Sequence, residues 1–106
     1  MEIYRGDTFN FDFTATFEDG KVYEFVPNEI IKIGIKRDTT SSKYTFSKEI
    51  KIEEETKVLK ITIPHEETKK FGTGKHLLEV ELTDTTGKVI TLCQENLNIL
   101  GDVINE

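Results

Sequence analysis

The sequence predicts an all-β domain: an antiparallel β-sandwich of about seven strands with one short helical turn. Three observations carry that prediction. Apolar residues recur at every second position in short runs about 8 to 12 residues apart. Turn signals rich in Asp, Gly, Asn and Pro separate the runs. The period of two is abandoned at one place, between Pro64 and Phe71.

The first long strand is Thr8 to Phe17, where Phe9, Phe11, Phe13, Ala15 and Phe17 fall on one face and Thr8, Asn10, Asp12, Thr14 and Thr16 on the other. Asp19-Gly20 accepts the positive φ of a tight reversal, so a hairpin into Val22 to Phe25 is expected, ended by Pro27-Asn28. Ile31, Ile33 and Ile35 alternate with Lys32, Gly34 and Lys36 as the third strand. Asp38 to Ser42 reads as a surface loop, being short and without apolar residues. Tyr44 and Phe46, then Ile50 and Ile52, then Leu59, Ile61 and Ile63 resume the alternation, with the acidic run Glu53-Glu54-Glu55 as a turn before the last group.

Pro64 to Phe71 has Pro at the first helical position, Glu66 and Glu67 next, Lys69 and Lys70 at the end and Gly72 beyond, the order a helix dipole favours. About two turns do not stand alone, so a packed connector is expected. His76, Leu78, Val80 and Leu82 form one face of the next strand, and Asp84 to Lys88 its hairpin loop. Ile90 and Leu92 are out of phase with Leu97 and Ile99, so one residue must be absorbed, and a bulge is expected between Cys93 and Asn96. The expected core includes Phe11, Phe13, Ile33, Ile61, Ile63, Val80 and Leu92.

The chain of 106 residues has room for one core, read as a single domain over 1–106. Hydrophobic residues are 36% and charged residues 32%, and seven Phe with three Tyr separate the chain from disordered sequences. Fourteen Lys and Arg against twenty Asp and Glu give a net charge of −6, the wrong sign for nucleic acid or an anionic membrane as partner. Cys93 is the one cysteine, which rules out an internal disulfide framework and a Cys-rich zinc site. No apolar run approaches the roughly 20 residues of a membrane helix, and Met1 to Arg5 does not read as a leader peptide, so a soluble, unprocessed protein is expected.

The C-terminal part carries a recognisable series: Ile61-Thr62-Ile63-Pro64, Glu66-Glu67-Thr68, Gly74-Lys75-His76, Glu79-Val80-Glu81-Leu82, Gly87-Lys88, Thr91-Leu92, Leu97-Asn98-Ile99 and Asp102-Val103. It resembles the small immunoglobulin-like domain of tailed-phage and prophage baseplate proteins, the type found at the N-terminus of baseplate upper proteins. Arg5-Gly6-Asp7-Thr8-Phe9, the Asp19-Gly20-Lys21 turn and Ile31 to Lys36 look like the opening of the same domain. Two positions depart from the pattern: His76 stands where an aromatic residue, often Tyr, is usual, and Glu95 where a Gly usually precedes the last strand.

The resemblance implies an immunoglobulin-like sandwich that acts without catalysis or cofactor, as a structural or interaction protein of a phage or prophage particle, at its tail or baseplate. Its partners would be other virion or baseplate proteins, or itself as a homo-oligomer. It would be made in the bacterial host cytoplasm and carried in the virion. The alternative is a host-surface or carbohydrate-binding module using loops at the ends of the sandwich. Against this, Trp is absent.

Individual residues are read conservatively. The Phe stripe is a core face rather than a stacking platform, and Arg5-Gly6-Asp7 is a turn leading into a strand rather than an adhesion motif. His65, His76 and Cys93 share no metal-ligand spacing, and the glutamate clusters lack the spacing of a calcium loop. No catalytic, cofactor or metal site is therefore expected. Ile3 and Tyr4 before the first long strand, and Val103 and Ile104 after the last, are candidate partner-binding residues, since terminal apolar side chains need something to cover them. Closing the chain's own sandwich is the alternative use for them.

Overall fold

The structure is a computed structural model and describes residues 1–37 and 43–101. Seven strands form among the described residues: β1 (Glu2–Tyr4), β2 (Phe9–Phe13), β3 (Ile30–Lys36), β4 (Phe46–Lys51), β5 (Leu59–Ile63), β6 (Gly74–Thr83) and β7 (Val89–Leu100), with helix α1 (His65–Thr68) between β5 and β6. They make the expected all-β sandwich from a five-stranded sheet, in the order β1-β7-β6-β3-β4, and a two-stranded sheet of β2 and β5. All pairs are antiparallel except β1, which runs parallel to β7 in the register Glu2 to Asn98, Ile3 to Ile99 and Tyr4 to Leu100.

The core is the predicted alternation made solid. Ile31, Ile33 and Ile35 of β3 meet Leu78, Val80 and Leu82 of β6, Leu97 and Ile99 of β7, and Leu59, Ile61 and Ile63 of β5, all buried. Phe25 and Phe71 add two fully enclosed aromatic rings, the second edge-on to Phe46 at 6.3 Å. Helix α1 is one turn, shorter than expected, with Pro64 as its N-cap (φ −68°, ψ 156°) rather than its first residue. Thr68 holds it down: its hydroxyl donates to the Asp7 carbonyl (2.7 Å) and accepts from the Gly6 amide (3.1 Å).

Several expectations are revised. Val22 to Phe25 is no regular strand and touches its neighbours through isolated bridges, Thr16 to Val22 and Phe25 to Thr56. The groups at Tyr44–Phe46 and Ile50–Ile52 belong to one strand, β4, with Tyr44 before it and Ile52 after it. Asp38 to Ser42 lies outside the described residues. The bulge comes earlier than expected: Val80 pairs with Cys93 and Glu81 with Thr91, so Leu92 is the extra residue. Glu95, expected in the kink, sits in regular register opposite Leu78.

The core prediction holds for Ile33, Ile61, Ile63 and Val80, while Phe11, Phe13 and Leu92 are only partly buried. The reason is the unequal size of the two layers. With strands about 4.8 Å apart, two strands cannot roof five, so the side where the chain after β2 meets β6 and β7 stays open. Phe17, at the end of the predicted stripe, is 56% exposed.

Candidate docking surface

That open side is lined by Ala15, Thr16, Phe17 and Tyr23 from the chain after β2, Leu82 from β6, and Ile90 and Leu92 from β7. They bound a shallow apolar cleft of about 230 Å³. Ile90 is 37% exposed, and Val22 and Val89 are also exposed large apolar side chains. A cluster of this kind on a charged chain is the sort of surface that marks an interaction site.

The loop that carries half of this surface is rigidly built. The Phe17 amide donates to the Lys21 carbonyl (2.8 Å), and Gly20, with φ of 87°, makes the reversal possible. Behind it Glu29, nearly fully buried, accepts from the Tyr23 hydroxyl (2.5 Å) and from the Val26 amide (2.7 Å). The Tyr23 ring is edge-on to both Phe17 and Phe25, at 5.8 and 5.1 Å. Burial, reinforced by the Glu29 carboxylate, pushes the Tyr23 phenol up to about 12. From the sequence Tyr23 is notable only as an aromatic residue open to the carbohydrate-binding alternative, and nothing in its spacing announces a pair with Glu29.

The outer face of the five-stranded sheet is closed differently. The Tyr44 ring lies against Gly34, where an added Cβ would collide with the ring edge. The Lys32 and Lys36 ammonium groups stand 4.7 and 5.5 Å from the ring centroid. Beneath it Glu79 is ion-paired to Lys36 (3.0 Å) and accepts from Gln94 (3.1 Å) and the Tyr44 hydroxyl (3.3 Å). This polar cluster is satisfied from within and serves to cover the sheet.

The residues weighed for chemistry are dispersed. His65 is exposed and pairs with Glu66 (3.2 Å). His76 is buried, as expected of a histidine in an aromatic position. Its Nε2 lies 2.7 Å from the Gly72 carbonyl, which can only accept, and 3.2 Å from the Arg37 guanidinium, which can only donate, and Nδ1 has no partner among the described residues. The Cys93 thiol is pushed up by burial and by Glu95, away from the thiolate. Among the described residues no group of three or more His, Cys, Asp or Glu is placed to hold a metal. Among the described residues no helix is long and apolar enough to cross a membrane.

Of the four terminal candidates, Ile3 is 6% exposed and packs into the chain's own core through β1. Tyr4 is 42% exposed. Val103 and Ile104 lie outside the described residues. The Phe17, Ile90 and Leu92 surface was legible only as half of an alternating stripe, because alternation names a face and not the layer that covers it. Comparison of the chain with protein-family models, with curated proteins and with solved structures finds no match.

Proposed function

We propose that the chain is a non-enzymatic structural protein of a phage or prophage particle, at its tail or baseplate, working by docking on other virion proteins. The observation that carries the docking reading is the apolar open side of the sandwich, with Phe17 at 56% exposure beside Ile90 and Leu92. A domain that buries Phe25 and Phe71 completely leaves a Phe in water where another surface covers it. The assignment to a phage particle rests on the resemblance to baseplate domains of the series from Ile61 to Val103, with the opening at Arg5 to Phe9, Asp19 to Lys21 and Ile31 to Lys36. The host-surface or carbohydrate-binding alternative has less support. The open side offers Phe17 and Tyr23 as rings, but its lining is mainly aliphatic and supplies only the Thr16 and Tyr23 hydroxyls where a sugar requires several convergent polar side chains.

The test is incorporation. Particles purified after induction or infection are probed for the protein by mass spectrometry, with the native chain and with Phe17→Ser/Ile90→Ser. The native chain is expected with tails or tail intermediates, and the variant is expected folded but depleted from them at least tenfold. A native chain missing from particles and from every assembly intermediate overturns the reading, as does a variant incorporated normally.

A further inference from the structure

We propose that the bare edge of β7 pairs with the same edge of a second copy, joining two five-stranded sheets into one continuous sheet about a two-fold axis. The proposal deepens the docking reading and rests on it only in using the same side of the sandwich.

The edge is defined on both sides. β1 covers β7 only at Asn98 to Leu100, with the Met1 ammonium reaching the Asn96 carbonyl (3.4 Å), so from Val89 to Glu95 the outer edge has no strand beside it among the described residues. At the other end the chain turns away through Asp84 to Gly87, where Gly87 has φ of 90°. The bare stretch, with Lys88 at its start, therefore has a definite length. Any strand laid against it must fit between the turn and β1.

The side chains on this stretch match themselves when reversed. Ile90 lies opposite Leu82, Cys93 opposite Val80 and Glu95 opposite Leu78, so all three are on the core-side face of β7, and by alternation Lys88 joins them. Read along that face the order is cation, apolar, bulge, apolar, anion. An antiparallel second copy centred between Thr91 and Leu92 sets Lys88 against Glu95 twice and Ile90 against Cys93 twice. The bulge is what makes this possible. In a regular strand residues 88 and 95, an odd number apart, would point to opposite faces, and the extra residue Leu92 returns both to one face.

Glu95 has no ion pair of its own among the described residues, and the strand from Val89 to Asn96 contains no cation. Directly opposed side chains in an antiparallel pair stand about 4.5 to 5.5 Å apart at Cβ, within reach for Lys and Glu. The other exposed edge of the large sheet, β4, is Phe-Ser-Lys-Glu-Ile-Lys, the charged kind of edge that resists pairing.

The mass of the purified full chain is measured by sedimentation equilibrium with reductant present. The expected result is a reversible dimer, weakened at least tenfold in Lys88→Glu and in Glu95→Lys alone. It should be restored in the double variant Lys88→Glu/Glu95→Lys and in an equimolar mixture of the two single variants. Both positions are exposed, so circular dichroism should show unchanged folding. A native chain that stays monomeric to millimolar concentration overturns the proposal. So does a dimer indifferent to the single charge reversals, or one that the complementary mixture fails to restore. None of these results bears on incorporation into particles, so this proposal and the functional reading fail separately.

Discussion

Tyr23 shows how much of the loop's order hangs on one side chain. Its hydroxyl meets Glu29, and its ring is held between those of Phe17 and Phe25. A phenol is neutral below its pKa, and here the folded value is about 12 against 10.0 in the unfolded chain. Between those values the unfolded state loses its proton first, so stability is full below pH 10.0 and falls as pH rises toward 12. The Tyr44 phenol is also raised, by burial and then by Glu79 and Glu81, and adds to the same decline. Urea unfolding between pH 9 and about 12 should show a steeper loss in the native chain than in Tyr23→Phe, whose remaining slope belongs to the other raised groups, Tyr44, Cys93 and Lys36. Equal slopes would mean the Tyr23 hydroxyl is not held as described. None of this was legible beforehand, because a pair six residues apart in an irregular loop leaves no periodic trace.

At the scale of elements, strand alternation was the readable signal, and Ile31 to Ile35, Leu59 to Ile63 and His76 to Leu82 emerged in the faces it assigned. The break in phase along β7 was legible as well, but not its place, since any residue between Ile90 and Leu97 can absorb it. Leu92 does so at the position where Thr91 must still pair outward with Glu81. Removing Leu92 leaves every other pair of the β6–β7 ladder in register and on its own face. Deletion of Leu92 should therefore yield a folded domain less stable by about 1 to 2 kcal/mol, the worth of a half-buried leucine. Its amide spectrum should keep the β6 and β7 cross-peaks near their native positions. Collapse of the fold on this deletion would show that the bulge carries more of the structure than a change of phase.

For the whole molecule, the sequence predicted a sandwich but not its lopsided layers. Which strands share a sheet depends on pairings between distant segments, such as β3 with β6 and β2 with β5, and no local pattern reports them. The candidate surface follows from that imbalance. Ile3 was grouped with Tyr4 as a partner-binding residue, yet β1 folds back on β7 and draws Ile3 inward, while β2 leaves Phe17 outside. The terminal segment was thus readable as apolar, and its destination was not. The same imbalance sets the direction from which a neighbour can approach, since the outer face of the large sheet is sealed by Tyr44 and Glu79.

The parallel pairing of β1 with β7 also has a mechanical meaning. Tension between the two ends of the chain draws Glu2 backward along β1 and Leu100 forward along β7, so the bonds between these strands are loaded together in shear. Handles placed instead at Tyr4 and Leu100, which face each other across the pair, would peel the same ladder open one bond at a time. Single-molecule pulling should find a higher rupture force for the first geometry than for the second. A domain built this way would hold against tension along its length while yielding readily to a sideways pull.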